Sequence, residues 1–204
     1  MITVSEYQQL HNWVGSYINE YCIVRNTPMP GKAPGSTYTW MFYLRNGLFN
    51  QSFLSAISQM FIYRANHEIG HFDFQLSGLE TASTPMLAGI PMIARAYDIR
   101  LNAFSVRKEQ KEYGLRNWLE GLPNDKPVML IDDLCNSSRS MAIARDIIEQ
   151  HNIPFLDYAF CIVNKFNEDD HDEIRQNSDM YLPETTKIIS LFDLDDFDLY
   201  CPSH

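Results

Sequence analysis

The chain is 204 residues long and 45% hydrophobic, with 16 basic against 26 acidic side chains for a net charge of −10. That length and apolar content suit one sizeable domain with a real core and exclude a disordered chain. The acidic balance argues against a nucleic-acid partner, whose phosphates need a basic surface, but leaves room for a locally basic site around a small anion.

Four cysteines (Cys22, Cys135, Cys161, Cys201) stand without C-x-x-C spacing and read as free thiols. No apolar stretch reaches spanning length and the N-terminus lacks a basic, apolar leader, so a cytoplasmic protein with no membrane partner is expected.

In chain order, Ser5 is the expected N-cap of a helix to about Tyr21, with Tyr7, Leu10, Val14 and Tyr17 at helical spacing. Pro28, Pro30, Gly31, Pro34 and Gly35 mark a loop, and the aromatic stretch Tyr38–Leu44 reads as extended. Ser52 is the expected cap of a second helix carrying Phe53, Ile57, Met60 and Phe61 on one face. From Phe72 the rhythm becomes strand, turn, helix, strand. Phe72–Leu76 is the first strand, Gly78–Ser83 a turn, and Thr84–Tyr97 a helix with Pro85 near its start, where proline is tolerated. Leu101–Val106 is a strand, and 107–125 is long, polar and charged. A strand at Val128, a helix to His151 and strands at Phe155–Val163 and Lys187–Leu191 complete the pattern. Such alternation predicts a parallel sheet flanked by helices, with ligands at the strand C-termini.

His67-Glu68-Ile69-Gly70-His71 fits the H-E-x-x-H pattern of zinc proteases, which needs both histidines one turn apart on one helix face. Gly70 and the strand-like residues after it predict that the helix stops there, and no third ligand stands at a suitable spacing. The segment reads as a helix end, and no protein-built metal site is expected.

The most informative stretch is Val128–Ser140, VMLIDDLCNSSRS. An apolar run ends in Asp132 and Asp133. The small polar residues Asn136, Ser137, Ser138 and Ser140 follow, and a helical face of Met141, Ala144, Ile147 and Ile148 then begins. A helix N-terminus offers free N–H groups and the positive end of a dipole to a phosphate. Two carboxylates at a strand end suit vicinal hydroxyls or a hydrated Mg²⁺. A ligand with both a phosphate and a ribose would use every part of this segment.

These residues resemble the 5-phosphoribosyl-1-pyrophosphate (PRPP) motif of the type I phosphoribosyltransferases. Gly78-Leu79-Glu80-Thr81-Ala82-Ser83-Thr84-Pro85 is similar to the family's pyrophosphate loop. Val106–Gly114, with its R-K-x-x-K-x-x-G spacing, is similar to the mobile catalytic loop of orotate phosphoribosyltransferases, as are Asn46–Asn50 and Ile188–Leu194 to other segments of those enzymes. The resemblance implies an α/β type I phosphoribosyltransferase fold, with a hood at residues 1–71 and a PRPP-binding core at 72–204. It implies transfer of phosphoribose from PRPP to a nitrogenous base in nucleotide metabolism, with Mg²⁺ as cofactor. It also implies a homodimer with shared active sites. By the same resemblance Asp132, Asp133, Lys111 and Arg107 are catalytic. Glu80, Thr81, Ala82, Ser83, Lys108, Asn136, Ser137, Ser138, Arg139 and Ser140 bind PRPP, and Lys165 meets the base.

The chain also departs from the pattern. Ser138 stands where the family's PRPP turn usually has glycine, Tyr113 where orotate enzymes usually have histidine, and Lys165 where they place an arginine. Lys32 is the nearest basic residue ahead of the aromatic stretch. The PRPP half is therefore expected to be retained and the base half altered. Two outcomes stay open: an enzyme, and a PRPP- or nucleotide-binding regulator that kept the fold and lost the synthetic reaction.

Overall fold

The computed structural model describes residues 1–30, 37–110, 117–165 and 182–199. The chain opens with helix α1 (Val4–Tyr17), which continues as one π-helical turn, Ile18–Cys22. Its cap is Thr3 rather than Ser5: Thr3 and Glu6 form a reciprocal capping box, which places Ser5 inside the first turn. Strands β1 (Ile23–Pro30) and β2 (Thr37–Phe42) form an antiparallel hairpin in which Arg25 opposes Trp40. A short helix α2 (Arg45–Leu48) leads into α3 (Gln51–Glu68). The α3 cap is Asn50, whose side-chain oxygen accepts from the Phe53 N–H at 3.1 Å, so the helix starts ahead of Ser52.

The remainder builds the main sheet from β3 (Gln75–Leu79), β4 (Asn102–Val106), β5 (Leu119–Glu120), β6 (Val128–Cys135), β7 (Phe155–Asn164) and β8 (Lys187–Asp193). Helix α4 (Thr84–Arg95) joins β3 to β4, and α5 (Arg139–Glu149) joins β6 to β7. Among the described residues the order is β5-β4-β3-β6-β7-β8, parallel throughout except for the antiparallel edge strand β5. That two-residue edge falls inside what the sequence reads as an unbroken polar loop.

The first core strand starts at Gln75 rather than Phe72. Gly70, at φ +81°, ends the helix, and the chain crosses to the sheet through Phe72 and Phe74 before pairing begins. Gly78 therefore lies within β3 and not at the start of a turn. A Cβ there would collide with the Ile131 carbonyl oxygen and come within 2.7 Å of the Ser83 Cβ, so only glycine permits this approach of β3 to β6.

One face of the sheet, through Met129, Ile131, Phe160 and Ile162, packs under α1, α3 and α4, where Phe61 meets Phe160 edge-on with ring centroids 4.9 Å apart. The other, through Leu130, Ala159 and Cys161, packs under the Met141, Ala144 and Ile148 face of α5. The chain steps outward from β3 to β4 and then returns to place β6 on the opposite side of β3. The carboxyl ends of β3 and β6 thus form the topological switch point, where open α/β sheets place their ligands.

Candidate active site

β3 and β6 pair only as far as Ser77 and Leu130. Beyond that pair a cavity of about 380 Å³ opens. Leu79 at the end of β3 and Asp132, Leu134 and Cys135 on β6 form one side; residues 136–140, leading into α5, form another, and Lys108 closes it from beyond β4. The cavity therefore gathers Asp132, Asn136, Ser137, Ser138, Arg139, Ser140 and Lys108 from the sequence-predicted set. Lys108 and Arg139 form no ion pair among the described residues, and both bring positive charge toward the N-terminal end of an 11-residue helix.

Ser138, where the motif it resembles usually has glycine, adopts the left-handed conformation at φ +48° and ψ +4°. The geometry that glycine supplies at no cost is thus kept by a residue for which it costs roughly 1–2 kcal/mol. Its carbonyl accepts the Ala142 N–H at 2.9 Å, the first turn of α5.

Asp132 is only 8% exposed. The Asp133 N–H donates to Asp132 Oδ1 at 2.9 Å. Burial, and then the neighbouring Asp133 charge, hold the Asp132 carboxyl well above the usual carboxylate range. Burial raises Asp133 as well, but a hydrogen bond with Asp132, the Leu134 N–H and the Arg45 charge on α2 offset part of the rise. Burial thus disfavours the charged form at both carboxyls, and more strongly at Asp132. Cys135, on the cavity wall, is pulled below the ordinary thiol range by a hydrogen bond from the buried Cys161 thiol, with a lesser contribution from the Ser138 N–H.

Other predicted residues lie outside the cavity. In the turn after β3, the Glu80 N–H donates to Val106 O at 2.8 Å, Glu80 Oε1 accepts the Lys108 N–H at 3.1 Å, and the Glu80–Thr81 peptide is cis. Ser83 is fully buried and its hydroxyl donates to Leu79 O at 2.8 Å, which closes the turn. Thr81 lines a separate apolar groove with Phe49, Leu54 and Pro85, while Ala82 sits half-buried between Thr81 and Ser83. Arg107 is paired with Glu120 on β5 at 2.8 Å. Lys111 and Tyr113 of the loop, Lys32, and the acidic run 168–173 lie outside the described residues.

Lys165, just past β7, donates its backbone N–H to Cys135 O at 2.7 Å, and its ammonium lies 4.7 Å from the centroid of the Trp40 ring. This contact joins the N-terminal hairpin to the carboxyl end of β7, next to Cys135. Nothing in the spacing of the sequence announces it.

The H-E-x-x-H segment is divided by the end of α3. His67 is on the helix and His71 beyond it, where His71 Nδ1 accepts the Asp73 N–H at 3.2 Å. Glu68 is engaged by Lys187 at 2.7 Å and Arg64 at 3.3 Å. The one-face arrangement the motif needs is not formed.

No family model matches the chain. Its fold is that of the type I phosphoribosyltransferases. Orotate phosphoribosyltransferase from Mycobacterium tuberculosis H37Rv aligns with a TM-score of 0.70 at 15% identity, over 92% of this chain and 98% of that one. A phosphoribosyltransferase from Corynebacterium diphtheriae aligns at 0.68 and 17% identity over the same shares. Adenine phosphoribosyltransferase from Trypanosoma brucei aligns at 0.57 and 13% identity, over 93% of this chain and 81% of that one. The mixed α/β architecture, its parallel sheet and its flanking helices are those of this fold. No helix among the described residues is long and apolar enough to cross a membrane.

Proposed function

We propose that the chain is a PRPP-dependent phosphoribosyltransferase that moves phosphoribose between PRPP and a nitrogenous base. The observation that carries this reading is the switch-point cavity, with a carboxylate on the β6 wall, a serine-rich turn at the α5 N-terminus and two cations, Lys108 and Arg139. The orotate enzyme of M. tuberculosis, which shares the fold, has been solved with PRPP bound.

In the proposed reaction a ring nitrogen of the base bonds to C1 of the ribose. The C1–oxygen bond breaks, pyrophosphate leaves with the electron pair, and the base gives up a proton. The protein's task is to hold both ends and neutralise the leaving group. Residues 136–140 hold the 5′-phosphate through N–H groups and hydroxyls. Asp132 and Asp133 hold the ribose hydroxyls. The 80–83 turn, Lys108, Lys111 and Arg107 meet the pyrophosphate, Arg107 after release from Glu120.

Mg²⁺ fits this donor set. Among the described residues no three ligating side chains converge, and Mg²⁺ is commonly held by one or two carboxylates together with substrate oxygens and water. Asp132 and Asp133 would be the protein's share, and the bound ion would spread the pyrophosphate charge. We place the enzyme in the cytoplasm as a homodimer in which the 106–114 loop reaches the neighbouring site.

A second reading is a PRPP-binding regulator, favoured by the commitment of Lys165 to Trp40 and by serine in place of glycine at position 138. Calorimetry with PRPP and Mg²⁺, followed by pyrophosphate release across a panel of bases, separates the two. Binding with release identifies the enzyme, binding without release the regulator, and no PRPP binding rejects both. For the dimer, Lys111→Ala is expected to lower turnover by roughly a hundredfold. Mixing it with Asp133→Asn should restore part of the activity; no recovery in mixed dimers would show unshared sites.

A further inference from the structure

Two carboxylates hold the residues that follow β4. Glu80, in the turn after β3, grips the backbone on both sides of Arg107: its N–H donates to Val106 O at 2.8 Å, and its Oε1 accepts the Lys108 N–H at 3.1 Å. The Arg107 N–H donates to Trp118 O at 2.9 Å, which carries the β4–β5 ladder one step past the Val106–Leu119 pair. Glu120 lies opposite Ser105 in that ladder, so Arg107 and Glu120 are diagonal neighbours on one face, within reach of long side chains. Arg107 Nη1 donates to Glu120 Oε1 at 2.8 Å, and its Nε donates to Glu109 O at 3.3 Å. The guanidinium is thus occupied on β5, while Lys108, the next residue, opens onto the switch-point cavity.

We propose that Glu120 is a latch: in the free protein its carboxylate occupies the Arg107 guanidinium as an internal substitute for pyrophosphate, and an arriving polyanion takes the guanidinium over. This rests on the phosphoribosyltransferase reading and deepens it, because it gives a residue outside the cavity control over how tightly pyrophosphate is held. Carboxylate and phosphate oxygens suit the same guanidinium donors, so the exchange trades one charge-assisted hydrogen bond for another. Glu80 keeps the backbone of 106–108 in place, so the exchange is a rotation of the arginine side chain alone.

The latch is built to open. The Arg107 and Glu120 side chains are 22% and 46% exposed, so water and salt screen the pair and hold it to the strength of a surface ion pair. A monovalent carboxylate on a neighbouring strand therefore yields to a ligand carrying several charges. The cost falls on affinity: a site whose cation is free only part of the time binds more weakly by that fraction. The same competition favours release of pyrophosphate once it is formed, since Glu120 stands ready to take the guanidinium back.

Calorimetry on the full chain with inorganic pyrophosphate and Mg²⁺ reads the latch. Glu120→Gln keeps an acceptor oxygen and removes the charge, and pyrophosphate affinity is expected to rise roughly two- to sixfold. In an Arg107→Gln background the same change is expected to leave the affinity where it was, since no guanidinium remains to be released. A purely structural Glu120 would lower affinity when replaced, and a long-range charge effect would raise it equally in both backgrounds. Unchanged or lower affinity in Glu120→Gln, an equal gain with and without Arg107, or no pyrophosphate binding by a chain that binds PRPP would each overturn the proposal. Should the glutamine variant not fold, Glu120→Asp draws the carboxylate back from the guanidinium and supplies the same comparison, with a smaller gain expected. Failure of the unmodified chain to bind PRPP in calorimetry would instead remove the phosphoribosyltransferase reading beneath it.

Discussion

Replacing Asp132 with asparagine should stabilise the fold while damaging the site. The carboxyl is 8% exposed and lies beside Asp133, and its Oδ1 accepts the Asp133 N–H at 2.9 Å. Asparagine keeps that acceptor and removes the charge. The desolvation penalty of a buried polar group is about 1–3 kcal/mol and more for a charged one. The retained hydrogen bond already offsets part of it, so the expected gain is about 1–2 kcal/mol. For a chain of this length each kcal/mol moves Tm by roughly 2–4 °C, so Tm should rise by about 2–8 °C at neutral pH. Burial and then the Asp133 charge raise the Asp132 pKa in the folded state, so the wild type is most favoured at low pH and loses stability as pH rises through the folded pKa. The advantage of the variant should therefore vanish at about pH 4, the ordinary aspartate range, and grow above it. Thermal melts from pH 4 to pH 8 read this directly. Calorimetry should show PRPP affinity reduced by roughly ten- to a hundredfold, the loss of one charge-assisted hydrogen bond. A variant less stable at neutral pH, or a gain that does not change with pH, would refute the argument that Asp132 is a buried charge held for function.

Two further substitutions probe the frame around the cavity. Gly78→Ala should cost about 1–3 kcal/mol, because the new methyl group meets the Ile131 carbonyl and Ser83 where β3 and β6 part; an unchanged melting curve would show that this approach is not tight. Ser138→Gly should raise stability by up to about 1 kcal/mol by relieving the left-handed residue at φ +48°, and Ser138→Val should lower it by about 1–3 kcal/mol; chemical denaturation orders the three, and valine equal to serine would remove the strain argument.

What the sequence disclosed follows the range over which each feature is encoded. The strand, acidic pair, polar turn and helix of Val128–Ser140 lie side by side in the chain, and the structure assembles them as one continuous unit. Strand starts were less legible. Phe72 and Phe74 look like strand residues, but their side chains pack in the crossing from α3, and Gln75 is the first to find pairing partners, in Asn102 and Val128. The N-caps slipped because Ser5 and Ser52 have competitors just upstream, Thr3 with its reciprocal glutamate and Asn50 with its side-chain acceptor. Gly78 read as turn chemistry because glycine has two uses, and close backbone approach leaves no local signature.

The same distinction divides the two halves of the site. The turn between β6 and α5 is built from adjacent residues, and Ser138 holds it in a left-handed form. Trp40 and Lys165, by contrast, lie far apart in the chain and are brought together by the fold alone. That contact can change without disturbing the turn between β6 and α5, because its residues sit on the hairpin and just past β7. Substitutions at Trp40 and Ser138 share no partner, so their effects on stability should add within about 0.5 kcal/mol. Coupling beyond that would mean that the hairpin senses the cradle, with Lys165 as the physical link, since its N–H is bonded to Cys135, three residues ahead of Ser138.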